Sequence, residues 1–204
     1  MGTVVRFSRF IPLFASAILA LGCAQTEKVS ITRILRHQAM LDFSGLKDPV
    51  TVDTVKSRIA PPETWEQTVP KKSALFTDVQ FRAPSHMTGV GVCYVRMPLP
   101  LSARMLGWLA KREYTKKEQG GRLIGEWTDE IGRPWFEGES KNYHVRGFIV
   151  TRGFEAWITY AGYKTEAPPN ASELALALRS LQTAVPVPNL QQSDAGAAGR
   201  AKAE

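Results

Sequence analysis

Residues 143–163 read YHVRGFIVTRGFEAWITYAGY, and the fold follows from how this stretch is parsed. It is rich in β-branched and aromatic residues and is broken by Arg152-Gly153, a two-residue turn signal. The expected structure is a hairpin of Tyr143 to Thr151 and Phe154 to Tyr163, with Thr151 opposite Phe154, Ile149 opposite Ala156 and Val145 opposite Tyr160. Alternation then separates two faces. Tyr143, Val145, Ile149, Phe154, Ala156, Ile158 and Tyr160 form a core face. The other face shows His144, Arg146, Phe148, Val150, Glu155, Trp157, Thr159 and Tyr163. From it His144, Arg146, Phe148, Trp157 and Tyr163 are drawn as a candidate ligand-binding set, because rings, an imidazole and a guanidinium together can stack on and hydrogen-bond a ligand. The competing reading is a sheet face half-covered by a helix, with its charged ends reaching water.

Working outward, a second hairpin is expected just upstream. Leu123 to Asp129 and Arg133 to Ser140 are joined by Glu130-Ile131-Gly132, a three-residue loop with glycine last. Trp127 and Trp135 then sit opposite each other, either as a packing pair or as a sugar-stacking platform. Further upstream, Ala74 to Phe81 and Gly89 to Met97 read as strands around Ala83-Pro84-Ser85. The period then changes. Leu101, Met105, Trp108 and Leu109 fall on one helical face, with Ser102 as N-cap and Gly120-Gly121 as the stop. Lys111, Arg112, Lys116 and Lys117 fill the last turns of that helix, where the dipole favours cations. A closing helix begins at Asn170, with Glu173 three places on, and presents Leu174, Leu178 and Leu181.

The class that results is α+β: an antiparallel sheet with two main helices packed on it, spanning about residues 61–186. Residues 23–60 read as an anchor and an arm with short strands that either packs on the domain or spaces it. Residues 187–204, nearly free of apolar residues beyond Val187, Leu190 and the alanines, read as a disordered tail. The element order, Trp65 before the first strand and the closing amphipathic helix resemble the PsbP-like α/β/α sandwich. That resemblance implies a non-catalytic binding or assembly factor.

The first 22 residues carry an address. Arg6 and Arg9 precede the apolar run Phe10 to Leu21, then small Gly22 and the polar stretch from Gln25 to Lys28. This is the plan of a cleaved signal peptide, and the uncharged run is short of the roughly 20 apolar residues that a permanent span requires. Cys23 at the cut resembles the bacterial lipoprotein signal, with Ala20 where leucine is usual and Leu21 one place later. The resemblance implies acylation of Cys23, a membrane anchor through that lipid, and a place in the cell envelope facing the periplasm or the exterior. Ala24, rather than aspartate, after the cysteine implies the outer membrane in a two-membrane bacterium. Soluble export after cleavage at Ala24 is the alternative.

Charge and motifs limit the function. The formal net charge of +7 falls by two when Arg6 and Arg9 leave with the signal. That excess suits an anionic ligand or an envelope protein and is too scattered to indicate nucleic acid. His37, His86 and His144 stand apart, and no Cys/His metal pattern, phosphate loop or nucleophile elbow is present, so no metal, cofactor or catalytic residue is assigned. Cys93, within alternating Val90 to Val95, reads as a buried inert thiol. The expected function is a lipid-anchored binding or assembly module. The alternative is an envelope hydrolase acting on a glycan or lipid. It would use some of Glu137, Glu139 and His144, the two glutamates lying roughly 6.5–7 Å apart on one strand face.

Overall fold

The computed structural model describes residues 41–108 and 120–187. The expected signal, Cys23, Lys111, Arg112, Lys116, Lys117 and the expected tail from 188 lie outside the described residues. The fold is α+β. Three short strands, β1 (Val50–Val52), β2 (Ser57–Ile59) and a final β11 (Val185–Pro186), make a small sheet ordered β1-β2-β11. The main sheet has eight antiparallel strands: β3 (Glu66–Gln67), β4 (Lys71–Lys72), β5 (Phe76–Arg82), β6 (Thr88–Arg96), β7 (Arg122–Thr128), β8 (Pro134–Glu139), β9 (Tyr143–Arg152) and β10 (Glu155–Lys164). Their order is β3-β5-β6-β10-β9-β8-β7, with β4 also paired to β5. Helix α1, described over 103–108, packs on one face, and α2 (Ala171–Gln182) lies over β6 and β10 on the other.

Local chemistry explains the elements. At α1, Ser102 Oγ accepts from Met105 N at 3.2 Å; at α2, the Asn170 side chain accepts from Ser172 N and Glu173 N. The β7–β8 loop closes between Asp129 and Arg133, and Gly132 there adopts a φ of 89°, which L-residues avoid. Trp127 and Trp135 are register partners, as the sequence predicts.

The β9–β10 turn sits one residue later than the sequence reading. Arg152 pairs with Glu155, so the loop is Gly153-Phe154, and Ile149 faces Ile158 rather than Ala156. Gly153 takes a φ of 58°, and neither Arg152 nor Phe154 has a positive φ. Two-residue loops with positive φ only at the first position want glycine there; glycine second would have forced Arg152 into the left-handed region. Each partner moves by two, so the faces keep their membership. Phe154 alone changes fate: it leaves the core face for an exposed loop tip.

Two further readings are corrected by packing. Leu106, not Trp108, is the α1 residue buried against Ile149 and Val95, while Trp108 is exposed. The two are two positions apart, about 200° around a helix, and cannot both face the sheet. The domain also begins before residue 61. Val52, Val55, Ile59 and Ala60 are buried, Ser180 Oγ donates to Ala60 O at 2.7 Å, and Ala60 N donates to Thr183 Oγ1 at 2.9 Å. The described part of the arm therefore packs on the domain, one of the two alternatives the sequence leaves open, and lends Val52, Val55, Ile59 and Ala60 to its core.

Candidate functional site

The face that carries His144 and Arg146 divides into a covered and an open half. Register places Trp135, Phe148 and Thr159 in one row and Trp157 beside Val150 and Tyr94. Over Trp157 lies the turn 53–56, whose Val55 and Lys56 carbonyls accept from its Nε1 at 2.9 and 3.1 Å; α2 lies over β6 and β10, and the Arg133 guanidinium covers the Phe148 ring at 4.3 Å from its centroid. Phe148 and Trp157 are each 1% exposed. They are core residues and offer no surface to a ligand, which corrects two of the five candidates.

His144, Arg146 and Tyr163 stay outside that cover and are drawn together through Glu137. The Glu137 carboxylate accepts from His144 Nε2 at 2.8 Å and from Arg146 Nη2 at 3.1 and 3.0 Å. An ionised carboxylate can only accept, so Nε2 carries the hydrogen. The His144 ring stacks on Tyr163 with centroids 5.1 Å apart and planes at 10°. Arg146 lies over the Trp127 indole, 5.5 Å from its centroid. Trp127 in turn stacks on Trp135 at 5.7 Å and 16°. The absence of a side chain at Gly125 gives the Trp127 ring room: a Cβ there would meet Trp127 Cζ3 at 3.3 Å. The result is a continuous strip, Trp127, Arg146, Glu137, His144, Tyr163. Trp127 is 39% exposed and Glu137 half-buried.

Electrostatics define what Glu137 does. Burial raises its pKa, but the hydrogen bonds from His144 and Arg146 outweigh that and hold it below the usual carboxylate range. Glu139 faces the same way and pairs with Arg122 at 3.0 Å. Neither carboxylate is left waiting for a proton donor or substrate in the manner of a glycosidase pair, where one acid must stay protonated.

Two clusters escaped the sequence reading. Arg133 is buried, its Nε donating to Asp129 Oδ2 at 2.6 Å and its guanidinium lying 4.3 Å from the Phe148 centroid. The cue was an acid and a base flanking a three-residue loop. On the opposite face, Asp78 accepts from Tyr160 Oη at 2.6 Å and Gln80 Nε2 at 3.0 Å. Burial raises the Asp78 pKa and outweighs those bonds. Here the cue was a polar pair, Asp78 and Gln80, at i, i+2 on an apolar strand. Cys93 pairs in register with Asp78 and is buried, which pushes its thiol pKa well up and keeps it protonated.

Comparison with protein families and with curated proteins returned no match. Among solved structures, a chain from Bacteroides thetaiotaomicron is similar over 70% of this chain and 49% of its own length, at 12% identity and a TM-score of 0.37. At that level the likeness bears on neither fold nor function. Among the described residues no helix is long and apolar enough to cross a membrane.

Proposed function

We propose that this chain is an extracytoplasmic binding module, anchored to the bacterial envelope through lipid on Cys23, that recognises an envelope glycan on the strip from Trp127 to Tyr163. The observation that carries the recognition is the clasp of Glu137 by His144 and Arg146. It fixes a cation over the Trp127 ring and an imidazole on the Tyr163 ring, so that rings and polar edges are held in place along one strip. Such surfaces bind sugars by stacking C–H faces on rings while edge groups hydrogen-bond hydroxyls. Preorganisation lowers the ordering cost of binding.

The same clasp argues against the hydrolase alternative. A general acid near neutral pH needs a raised carboxyl pKa, and Glu137 is shifted the other way. The anchor rests on the order of basic start, apolar run, small residue and Cys23.

Two measurements test the two parts. Intact mass of the chain recovered from bacterial membranes should show an acyl increment on Cys23, and Cys23→Ala should move the chain to the soluble fraction; an unmodified Cys23 overturns the anchor. Titration with soluble fragments of bacterial cell-wall glycan should change tryptophan fluorescence, and Trp127→Ala should abolish both the change and the binding heat. An unaltered isotherm in Trp127→Ala overturns the recognition surface.

A further inference from the structure

The other end of the same strands has a different chemistry, apolar at its tips and cationic behind them. Phe154, in the β9–β10 loop, is 55% exposed, and Leu99, in the loop after β6, is 45% exposed. Met97 N donates to Phe154 O at 2.7 Å, which ties the two loops into one surface. Immediately behind, Arg96, Glu155 and Arg152 stand side by side on β6, β10 and β9. Glu155 is already engaged by Lys56 Nζ at 2.5 Å and Tyr94 Oη at 2.7 Å. Arg96 and Arg152 are exposed and have no ion-pair partner among the described residues. Arg104, on the first turn of α1, adds a third exposed cation. Exposed acids at this end are Asp53, in the turn 53–55, and Glu130, in the β7–β8 loop two strands from β10.

We propose that this end docks on an anionic lipid bilayer, with Phe154 and Leu99 entering the headgroup–acyl boundary and Arg96 and Arg152 meeting lipid phosphates. The layering selects the occupant. Two apolar tips on adjacent loops with arginines set one step behind them match a bilayer, whose apolar zone lies beneath its anionic zone. The exposed guanidiniums are forks suited to phosphate oxygens. From Cys23 to Leu41 the chain reaches at most about 60 Å, so a lipid anchor would let either end approach the membrane and leaves the choice to this surface. Docking this way turns His144 and Tyr163, at the far end of the strands, away from the bilayer.

The docking does not require acylation, and the test separates the two. The chain from residue 23 to 204, carrying Cys23→Ser, is cosedimented with vesicles of phosphatidylglycerol and phosphatidylcholine and with phosphatidylcholine alone. Binding is expected to the anionic vesicles only and to weaken with salt. Each of Arg96→Glu and Arg152→Glu should weaken it at least about fivefold, from the roughly 1 kcal/mol that one cation contributes near an anionic surface. Phe154→Ser should weaken it about tenfold, since it removes the larger apolar tip. Lys141→Glu, an exposed cation in the turn at the opposite end, should leave it unchanged. Absence of vesicle binding, equal loss in Lys141→Glu, or a concentration-dependent dimer abolished by Phe154→Ser in place of vesicle binding would each overturn the proposal.

Discussion

Phe148 and Trp157 on one side, and His144 and Arg146 on the other, occupy the same face of the same hairpin, yet they have opposite fates. Trp157 is sealed beneath the turn 53–56 and Phe148 beneath the Arg133 guanidinium and the Trp135 ring; the second two lie past the edge of that cover and satisfy their polar groups with Glu137. A strand face is thus not a single environment. What decides the role of each side chain is the footprint of whatever packs on the sheet, and here that footprint covers β6 and β10 and stops short of the Glu137 end of β8 and β9.

The sharpest way to break this contrast is to truncate one member of each half. Trp157→Ala should cost about 3–5 kcal/mol of unfolding free energy in urea denaturation, because it empties a fully enclosed site and takes the indole donor from the Val55 carbonyl, while the Lys56 carbonyl keeps Val187 N. Arg146→Ala should cost less than about 1 kcal/mol, as expected for a cation that reaches solvent. Comparable losses would mean that the two halves are not different environments.

A smaller effect separates the carboxylate of the open half from the buried one across the sheet. Glu137 has a depressed folded pKa, so its contribution is present above the unfolded carboxylate pKa and disappears as pH falls through the folded value. Asp78 has a raised folded pKa, so it favours the folded state at low pH and loses that advantage as pH rises through the folded value. In melting curves from about pH 3 to pH 7, Glu137→Gln should flatten the acid limb. Asp78→Asn should instead remove a decline that develops as pH rises. Identical changes in slope would show that burial at Asp78 and the hydrogen bonds from His144 and Arg146 at Glu137 do not set the charges of the two acids.

The smallest effect is expected at the rim. Arg122→Ala removes a pair between exposed side chains and should shift stability by less than about 0.5 kcal/mol in the same urea experiment. A larger loss would extend the structured network to β7, beyond the clasp on Glu137.

Much of the fold was legible because it is written locally. The three-residue loop ending at Gly132, the caps Ser102 and Asn170 and the Trp127–Trp135 pairing each depend on residues close in sequence or across one short loop. The exact turn at Gly153 was misplaced by one residue, since either neighbour of a glycine can complete a two-residue loop until the sign of φ at each position is considered. The candidate site was legible in part. Alternation selects His144, Arg146 and Tyr163, whereas Glu137, the common partner of His144 and Arg146, lies on another strand and pairs by sequence spacing with Glu139.

By itself, then, the sequence determined the hairpins, the parity of their faces and the caps, because φ preferences and a period of two act over a few residues. The address proposed around Cys23 likewise rests on charge and apolarity in order along the chain. Only the tertiary structure decided which half of a face is buried, that residues 50–60 belong to the core, and that Glu137 is clasped from β9. The first two depend on segments more than a hundred residues apart meeting at one place, as when Trp157 donates to the carbonyl of Val55, and the third on the register between two neighbouring strands; no local preference encodes either.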